Sequence, residues 1–402
     1  MNILVVCNKF PYPPRDGGSL ATFNMIRGLA GAGNRVDLLA MNTKRHYSPE
    51  GARSIDIAGL NRVRDVFVDN SINIPGLLYN LLFSSVPYNA ARFFSREFQA
   101  VLGEMLREGN YDIVQLEGLY LAPYIKPIRE NTQAKIVYRA HNIEYRIWDS
   151  YSQNAGNLFK KLYLGGLKEK IRNFEREFVN KYDLLVAITG ADLKELNLMG
   201  NDKPSVVSPF GMYPGEIPVK DDNASDDICL QYIGALDWLP NIESLNWFID
   251  RVWTRIKSKY PGLKFRVAGR NASRGLVKKM AGKGIEFHGE VKDSGYFLSQ
   301  NGIFVVPLFS GSGIRVKIIE ALFMKKAIIA TSFAVTGIPV ENGKNILLAD
   351  NENEFIGHII KLLEDRELFA GLGNEAGELS AACFDNGPIA GELSAFYKKY
   401  AV

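Results

Sequence analysis

Short apolar runs alternate along this chain with longer stretches of helical periodicity. The runs at Met1–Val6, Val36–Ala40, Val63–Val68, Asp112–Glu117, Ala134–Arg139, Asp183–Ile188 and Ser205–Ser208 are of strand length. Several are apolar without alternation, the pattern of strands buried on both faces. A second series follows at Ile228–Ile233, Leu263–Ala268, Ile285–Val291, Ile303–Val306, 327–330 and 346–348. Helical patterns intervene at about Ser19–Leu29, Leu158–Asn180, Ile314–Met324 and Gly387–Tyr400. Strands separated by helices predict parallel sheets covered on both sides, hence an α/β fold. Between the two series lies Pro209–Asp227, dense in proline, glycine and aspartate, which reads as a linker. A chain of 402 residues exceeds what one core usually supports, so two domains are expected, residues 1–208 and 228–386.

Two stretches depart from this pattern. From Asn70 to Ala91 there is no charged residue, yet Pro75, Gly76, Asn80 and Pro87 interrupt the apolar positions too often for a membrane span. Two readings stay open there. The segment lies against lipid or lines a groove for a lipid-linked acceptor, with Arg92 and Arg96 beside it to meet headgroups, or it is an internal helix covering the sheet. The Leu158–Asn180 pattern carries Lys160, Lys161, Lys168, Lys170, Arg172 and Arg176 and is expected to be interrupted at Gly165-Gly166. Its basic face suits either solvation or an anionic membrane surface.

Composition narrows the class. Hydrophobic content of 47% and charged content of 23% are those of a soluble globular protein. The net charge of +4 resides in the first 205 residues, at +5 against −1 for the remainder, and is too small to argue for nucleic acid. Cys7, Cys229 and Cys383 have neither metal nor redox spacing. The chain opens directly on a strand and not on a leader, so a cytoplasmic location is expected, with a peripheral place on the membrane face as its variant.

The candidate chemistry centres on Phe309–Leu322. A strand pattern runs into Ser310-Gly-Ser-Gly313 and then into an apolar helix, so backbone N–H groups free of crowding Cβ atoms gather at a helix start, where an anion is welcome. Arg315 and Lys317 fall in the expected first turn, where the macrodipole disfavours cations unless a diphosphate reverses the sign. Glu320 lies in a helix apolar nearly all round and needs donors, which a ribose diol supplies; a plain Lys317–Glu320 pair is the competing explanation. The Ala134–Arg139 strand ends in a polar cluster that includes His141, the place where open α/β sheets bind ligands. After the first strand comes Gly17-Gly18 without a dinucleotide fingerprint, which argues against an oxidoreductase. No Asp-x-Asp occurs, so no divalent metal and no cofactor are expected.

The segment Gly311–Thr331 resembles the donor-binding segment of family-4 glycosyltransferases, and the likeness extends, less specifically, over nearly the whole chain. The resemblance implies the GT-B fold, in which two doubly wound Rossmann-like domains face each other across a cleft. It also implies a last helix, 387–402, that crosses back to the first domain. The family segment often carries two glutamates eight positions apart. Glu320 matches the second, which implies a ribose contact, while Ser312 stands where the first would hold the donor sugar. By the same resemblance Gly17 and Gly18 lie near the donor phosphates, and His141 lies against the donor sugar. Gly234, Asp237, Gly269, Arg270, His288, Gly289 and Val291 fall in strand-end turns facing the nucleotide, and Ser312, Gly313, Ile314 and Val316 line the phosphate loop. The family's usual arginine and lysine after the 228–233 strand are missing here, where Ala235, Asp237 and Asn241 stand, so Arg315 and Lys317 are expected to serve the phosphates alone.

The expected activity is therefore retaining transfer of a glycosyl unit from a nucleoside-diphosphate sugar to a glycan or lipid-linked acceptor, in the assembly of a cell-surface polysaccharide. His141, Arg315 and Lys317 would be the catalytic groups, and hinge closure at 209–227 would exclude water. A nucleotide-sugar epimerase and a non-catalytic nucleotide-sugar binding module are the alternatives.

Overall fold

The computed structural model describes residues 1–14, 16–55, 57, 59–153, 157–218, 227–291, 293–311 and 313–401. The chain divides into two compact units, Met1–Gly211 with Asn386–Val402, and Met212–Asp385.

The first unit is built on seven parallel strands: β1 (Asn2–Cys7), β2 (Arg35–Thr43), β3 (Leu60–Val68), β4 (Ile113–Glu117), β5 (Lys135–Ala140), β6 (Leu184–Ala187) and β7 (Ser205–Val207). Their order is β3-β2-β1-β4-β5-β6-β7. The sheet is doubly wound about β1, whose partners on either side are β2 and β4, and the strand order reverses between β1 and β4. Ile3, Val5, Val137 and Val186 face one layer of helices, and Leu4, Val6, Leu116 and Tyr138 face the other. On the first face the helices Gly17–Gly31 and Asn386–Tyr400 lie side by side. A Cβ on Gly28 would come within 2.5 Å of the Ala390 Cβ, so glycine sets how closely they approach. Asn386 Nδ2 donates to the Asn24 carbonyl at 2.8 Å across the same contact.

The second unit repeats the design with six parallel strands: β8 (Cys229–Ile233), β9 (Phe265–Ala268), β10 (Glu286–Phe287), β11 (Gly302–Val306), β12 (Ala327–Ala330) and β13 (Leu347–Leu348). Their order is β10-β9-β8-β11-β12-β13, so the reversal falls between β8 and β11. Its core gathers Phe248, Trp253, Phe265, Val305, Ile329 and Phe355.

Several expectations need correction. The helix Leu158–Phe178 runs unbroken through Gly165 and Gly166. Burial of Leu164, Leu167, Ile171 and Phe174 outweighs the roughly 1 kcal/mol that each helical glycine costs. The expected strand at 285–291 shrinks to Glu286–Phe287, and Gly289 with φ +69 turns the chain away. In the uncharged segment Asn80, Asn89 and Ala90 are buried. Its helix Ile74–Phe83 leaves Tyr79 68% and Phe83 73% exposed. No helix among the described residues is long and apolar enough to cross a membrane. Residues 219–226 of the expected linker lie outside the described residues.

Candidate functional site

In a doubly wound sheet the loops at the carboxyl ends of the two central strands part in opposite directions and leave a crevice. In the second unit these are the loops after β8 and β11, and the glycine segment is the second of them. Gly311 and Gly313 have φ of +119 and +75, the left-handed region in which a side chain is strained. A Cβ on Gly311 would also meet the Trp238 ring at 2.6 Å, so the β8 loop rests on the glycine turn. The backbone N–H groups of Gly311, Gly313, Ile314 and Arg315 donate to no described residue. Ser312 lies outside the described residues.

The helix that follows spans Val316–Phe323, which corrects the expected start at Ile314. Arg315 is therefore its N-cap, with backbone angles of φ −89 and ψ 85, and Lys317 is its second residue. No described carboxylate pairs with Arg315. Its Nε is buried without a partner, and its guanidinium sits 5.2 Å from the Phe333 ring centre. Burial pushes its pKa down to about 10, still far enough above neutrality to leave it charged. A half-buried cation with no described partner, beside four N–H groups that donate to no described residue at a helix start, favours an anion twice over.

Lys317 is engaged instead. Its Nζ donates to Glu320 Oε2 at 2.8 Å, the pair three residues apart that competed with the ribose explanation. Ser294 Oγ donates to the same oxygen at 3.3 Å. Glu320 is buried, and no donor among the described residues reaches its Oε1.

The remaining nucleotide-side residues join this end of the sheet through the backbone. Gly269 N–H donates to the Gly289 carbonyl at 2.8 Å, and Leu236 N–H donates to the Arg270 carbonyl at 3.0 Å. A Cβ on Gly269 would fall 2.1 Å from the Gly234 carbonyl, so glycine is needed where β8 and β9 end. Asp237 accepts from Asn271 Nδ2 at 2.9 Å. The His288 ring is 40% exposed and stands edge-on to Phe297, and Val291 beyond it is half-buried. A cavity of about 850 Å³, lined by Lys259, Leu263, Arg266 and Asn301 among others, lies at the opposite, amino-terminal ends of β8 and β9.

In the first unit, Gly17 and Gly18 are not a free loop. They are the first two residues of the helix Gly17–Gly31, because Asp16 and Ser19 form a reciprocal capping box that starts it there. Lys9 Nζ reaches Asp16 at 2.7 Å, after β1. Burial raises the Asp16 carboxyl, but Lys9 and the Ser19 bonds outweigh it and hold the group well below the usual range.

His141 follows β5, and its Nε2 lies 2.7 Å from Glu117 Oε2 at the end of β4. The β4–β5 register sets Glu117 opposite Arg139, whose guanidinium donates to the same oxygen at 3.0 Å, and Thr22 Oγ1 adds a third donor at 3.0 Å. Burial raises the Glu117 carboxyl, but Arg139 and His141 more than offset it and bring it down to about 2. Burial lowers His141 more than Glu117 raises it, so the imidazole is neutral at pH 7. An ionised carboxylate only accepts, so the neutral ring carries its proton on Nε2.

Beside it, Glu144 opens the helix Glu144–Gln153 and accepts from Tyr120 Oη at 2.7 Å. Glu175 accepts the N–H groups of Glu144 and Tyr145 at 3.1 and 3.3 Å. Burial pushes Glu144 up to about 7. Burial and the neighbouring Glu144 charge push Glu175 up to about 8. A carboxyl whose folded pKa exceeds its unfolded 4.5 makes stability fall as pH rises from about 4.5 to about 7. Glu144→Gln keeps an acceptor for Tyr120 and removes that loss. The variant should exceed the parent by on the order of 1–2 kcal/mol at pH 8 and match it near pH 4. Thermal unfolding across that range reads the difference, and a variant less stable than the parent at pH 8 would refute the assignment.

Comparison with known proteins agrees with this architecture. Residues 228–365 match the family described as Glycosyl transferases group 1. Sucrose-phosphate synthase from Thermosynechococcus elongatus superposes with a TM-score of 0.72 at 17% identity, over 99% of each chain. HepE of Anabaena, solved in complex with UDP and glucose, superposes with a TM-score of 0.68 at 14% identity, over 99% of this chain and 100% of that one. The fold is GT-B. A protein encoded in the cps region of Klebsiella pneumoniae, itself uncharacterised, is 23% identical over 373 residues, 89% of this chain and 90% of its own. An uncharacterised glycosyltransferase of Methanocaldococcus jannaschii is 27% identical over 302 residues, 72% of this chain and 69% of its own.

Trp238, Ser294 and Phe333 around the glycine turn, and Thr22, Gln115, Glu117 and Arg139 around His141, are absent from the sequence expectations. Glu117 and Arg139 had one available signal: both are charged residues at the ends of otherwise apolar strand runs, where burial demands a partner.

Proposed function

We propose that this chain is a retaining glycosyltransferase that moves a sugar from a nucleoside diphosphate to a glycan or lipid-linked acceptor during assembly of a cell-surface polysaccharide. The observation that carries the reading is Arg315, a half-buried cation with a buried Nε and no described partner, at the start of a helix whose preceding glycine turn offers N–H groups that no described residue accepts from. A diphosphate answers both needs at once. The match of residues 228–365 to Glycosyl transferases group 1, and the cps-region setting of the Klebsiella relative, support the reaction class and the pathway.

As the donor bond breaks, negative charge grows on the β-phosphate and oxocarbenium-like positive charge grows on the sugar. Arg315 and the N–H groups of Gly311, Gly313 and Ile314 meet the first charge without reorganising. Lys317 exchanges its Glu320 contact for the diphosphate, which frees Glu320 to accept from the ribose diol. Neutral His141 accepts a hydrogen bond from a sugar hydroxyl.

A thermal-shift screen across nucleoside diphosphates and their sugars tests the binding step. A ligand at 100 times its dissociation constant should add about 2.7 kcal/mol of stability. Mass spectrometry of the products then separates transfer from epimerisation, which needs no acceptor, and from binding without turnover. No shift with any of them would refute the donor site. Glu320→Gln should weaken the nucleoside diphosphate by roughly 1–3 kcal/mol, the scale of a lost charged hydrogen bond. Equal affinities by calorimetry would remove the ribose contact.

A further inference from the structure

A line of hydrogen bonds ties the last helix of the chain to His141. Tyr397, fully buried on the helix Asn386–Tyr400, bonds Gln115 Oε1 through its hydroxyl. Gln115 Nε2 donates to Glu117 Oε1, and His141 Nε2 lies on Glu117 Oε2. Gln115 and Glu117 are two apart on β4 and so point to one face of the sheet, the face that Tyr397 covers.

The direction of every bond follows from one end. Glu117 is a buried carboxylate held ionised by Arg139, so each neighbour must donate to it. That orients the Gln115 amide with nitrogen toward Glu117 and oxygen toward Tyr397. The tyrosine must then donate. At the other end, the same logic places the proton of neutral His141 on Nε2 and leaves Nδ1 as a lone-pair acceptor.

We propose that Glu117 and, through Gln115, Tyr397 are positioning residues: Glu117 holds His141 as its Nε2–H tautomer and Tyr397 steadies Glu117, so that Nδ1 accepts from a sugar hydroxyl. The proposal rests on the glycosyl-transfer reading only for what Nδ1 meets. Arg139 and Thr22 fix Oε2 of Glu117, the oxygen that His141 meets, against rotation, and the 282 residues separating Gln115 from Tyr397 make the closing contact a tertiary one. The C-terminal helix thereby acts on the ring without touching it, as an outer-shell partner orients a ligand.

The test reads the ring nitrogens directly. In full-length protein with ¹⁵N-labelled histidine, His141 is assigned as the one set of four that disappears in His141→Gln. At pH 7.5 the parent should show a protonated-type Nε2 and an unprotonated-type Nδ1. Glu117→Met, which removes the acceptor at Nε2, should release the ring to the other tautomer and lower kcat about 10- to 100-fold with the KM for the donor nearly unchanged. Tyr397→Phe removes one oxygen and leaves the ion pair whole, so it keeps the fold even if Glu117→Met does not. With Glu117 still an ionised acceptor it should keep the Nε2–H tautomer, but with Gln115 freed at one end it should lower kcat several-fold at an unchanged KM for the donor. The parent ring pattern and parent kcat in both variants would overturn the proposal, and in Tyr397→Phe alone would remove the helix from it. A parent that transfers no sugar would instead refute the reaction, with the ring-nitrogen result unaffected.

Discussion

Replacing Arg315 by alanine is expected to lower turnover by about 10²-fold or more, the scale of losing one donor that meets developing charge. The size of the effect follows from what surrounds the side chain. Among the described residues no carboxylate competes for the guanidinium, its Nε is buried, and the Phe333 ring centre stands 5.2 Å from it. In such a setting a charge interaction is screened far less than at a surface. Lys317 is the contrasting case, because Glu320 already neutralises part of its charge at 2.8 Å, and Lys317→Ala should cost less. Arg315→Lys should not restore the rate, since a compact ammonium lacks the planar fork that spans two phosphate oxygens. Donor consumption at saturating acceptor measures all three variants. A parent-like kcat in Arg315→Ala would take the residue out of the reaction and leave the glycine turn without its counter-charge.

What could be read from the sequence follows the distance over which each signal acts. The glycine turn and its helix are local: strand, Ser310-Gly-Ser-Gly313 and an apolar helix occur within about twenty residues, and the β11 loop is where that order places them. The start of the first helix is local too: Asp16-Gly-Gly-Ser19 is a capping signature four residues long. The His141 surroundings belong to another kind. Glu117 and Arg139 meet only because β4 and β5 are neighbours in register, and Tyr397 meets Gln115 only because the last helix returns to the first sheet. Neither fact has a periodicity. The sequence shows such residues as polar exceptions in apolar runs, and a buried polar exception states a need for a partner without naming it.

The Glu117–Arg139 pair carries the largest stability effect expected in the first unit. Arg139→Met should cost about 3–5 kcal/mol at pH 7, because it leaves a buried carboxylate uncompensated, whereas its own aliphatic volume is largely conserved. Arg139 is 1% exposed and spends its guanidinium on Glu117 Oε2, so no solvent stands ready to replace it. The pH dependence fixes the cause. With a folded pKa of about 2 against 4.5 unfolded, Glu117 contributes stability above pH 4.5 that is lost as pH falls toward 2. In the Arg139→Met chain only the His141, Gln115 and Thr22 contacts oppose burial, so the carboxyl rises from its parent value and the gap between parent and variant should narrow as pH falls. Adding Glu117→Met to Arg139→Met should recover most of the loss, since a buried ion pair replaced as a whole by apolar side chains is often neutral. Urea unfolding of the two variants at pH 7 and pH 3.5 supplies the comparison. A single-variant cost under about 1 kcal/mol, or a double variant no more stable than the single, would mean that Glu117 is satisfied by Thr22, Gln115 and His141 without Arg139.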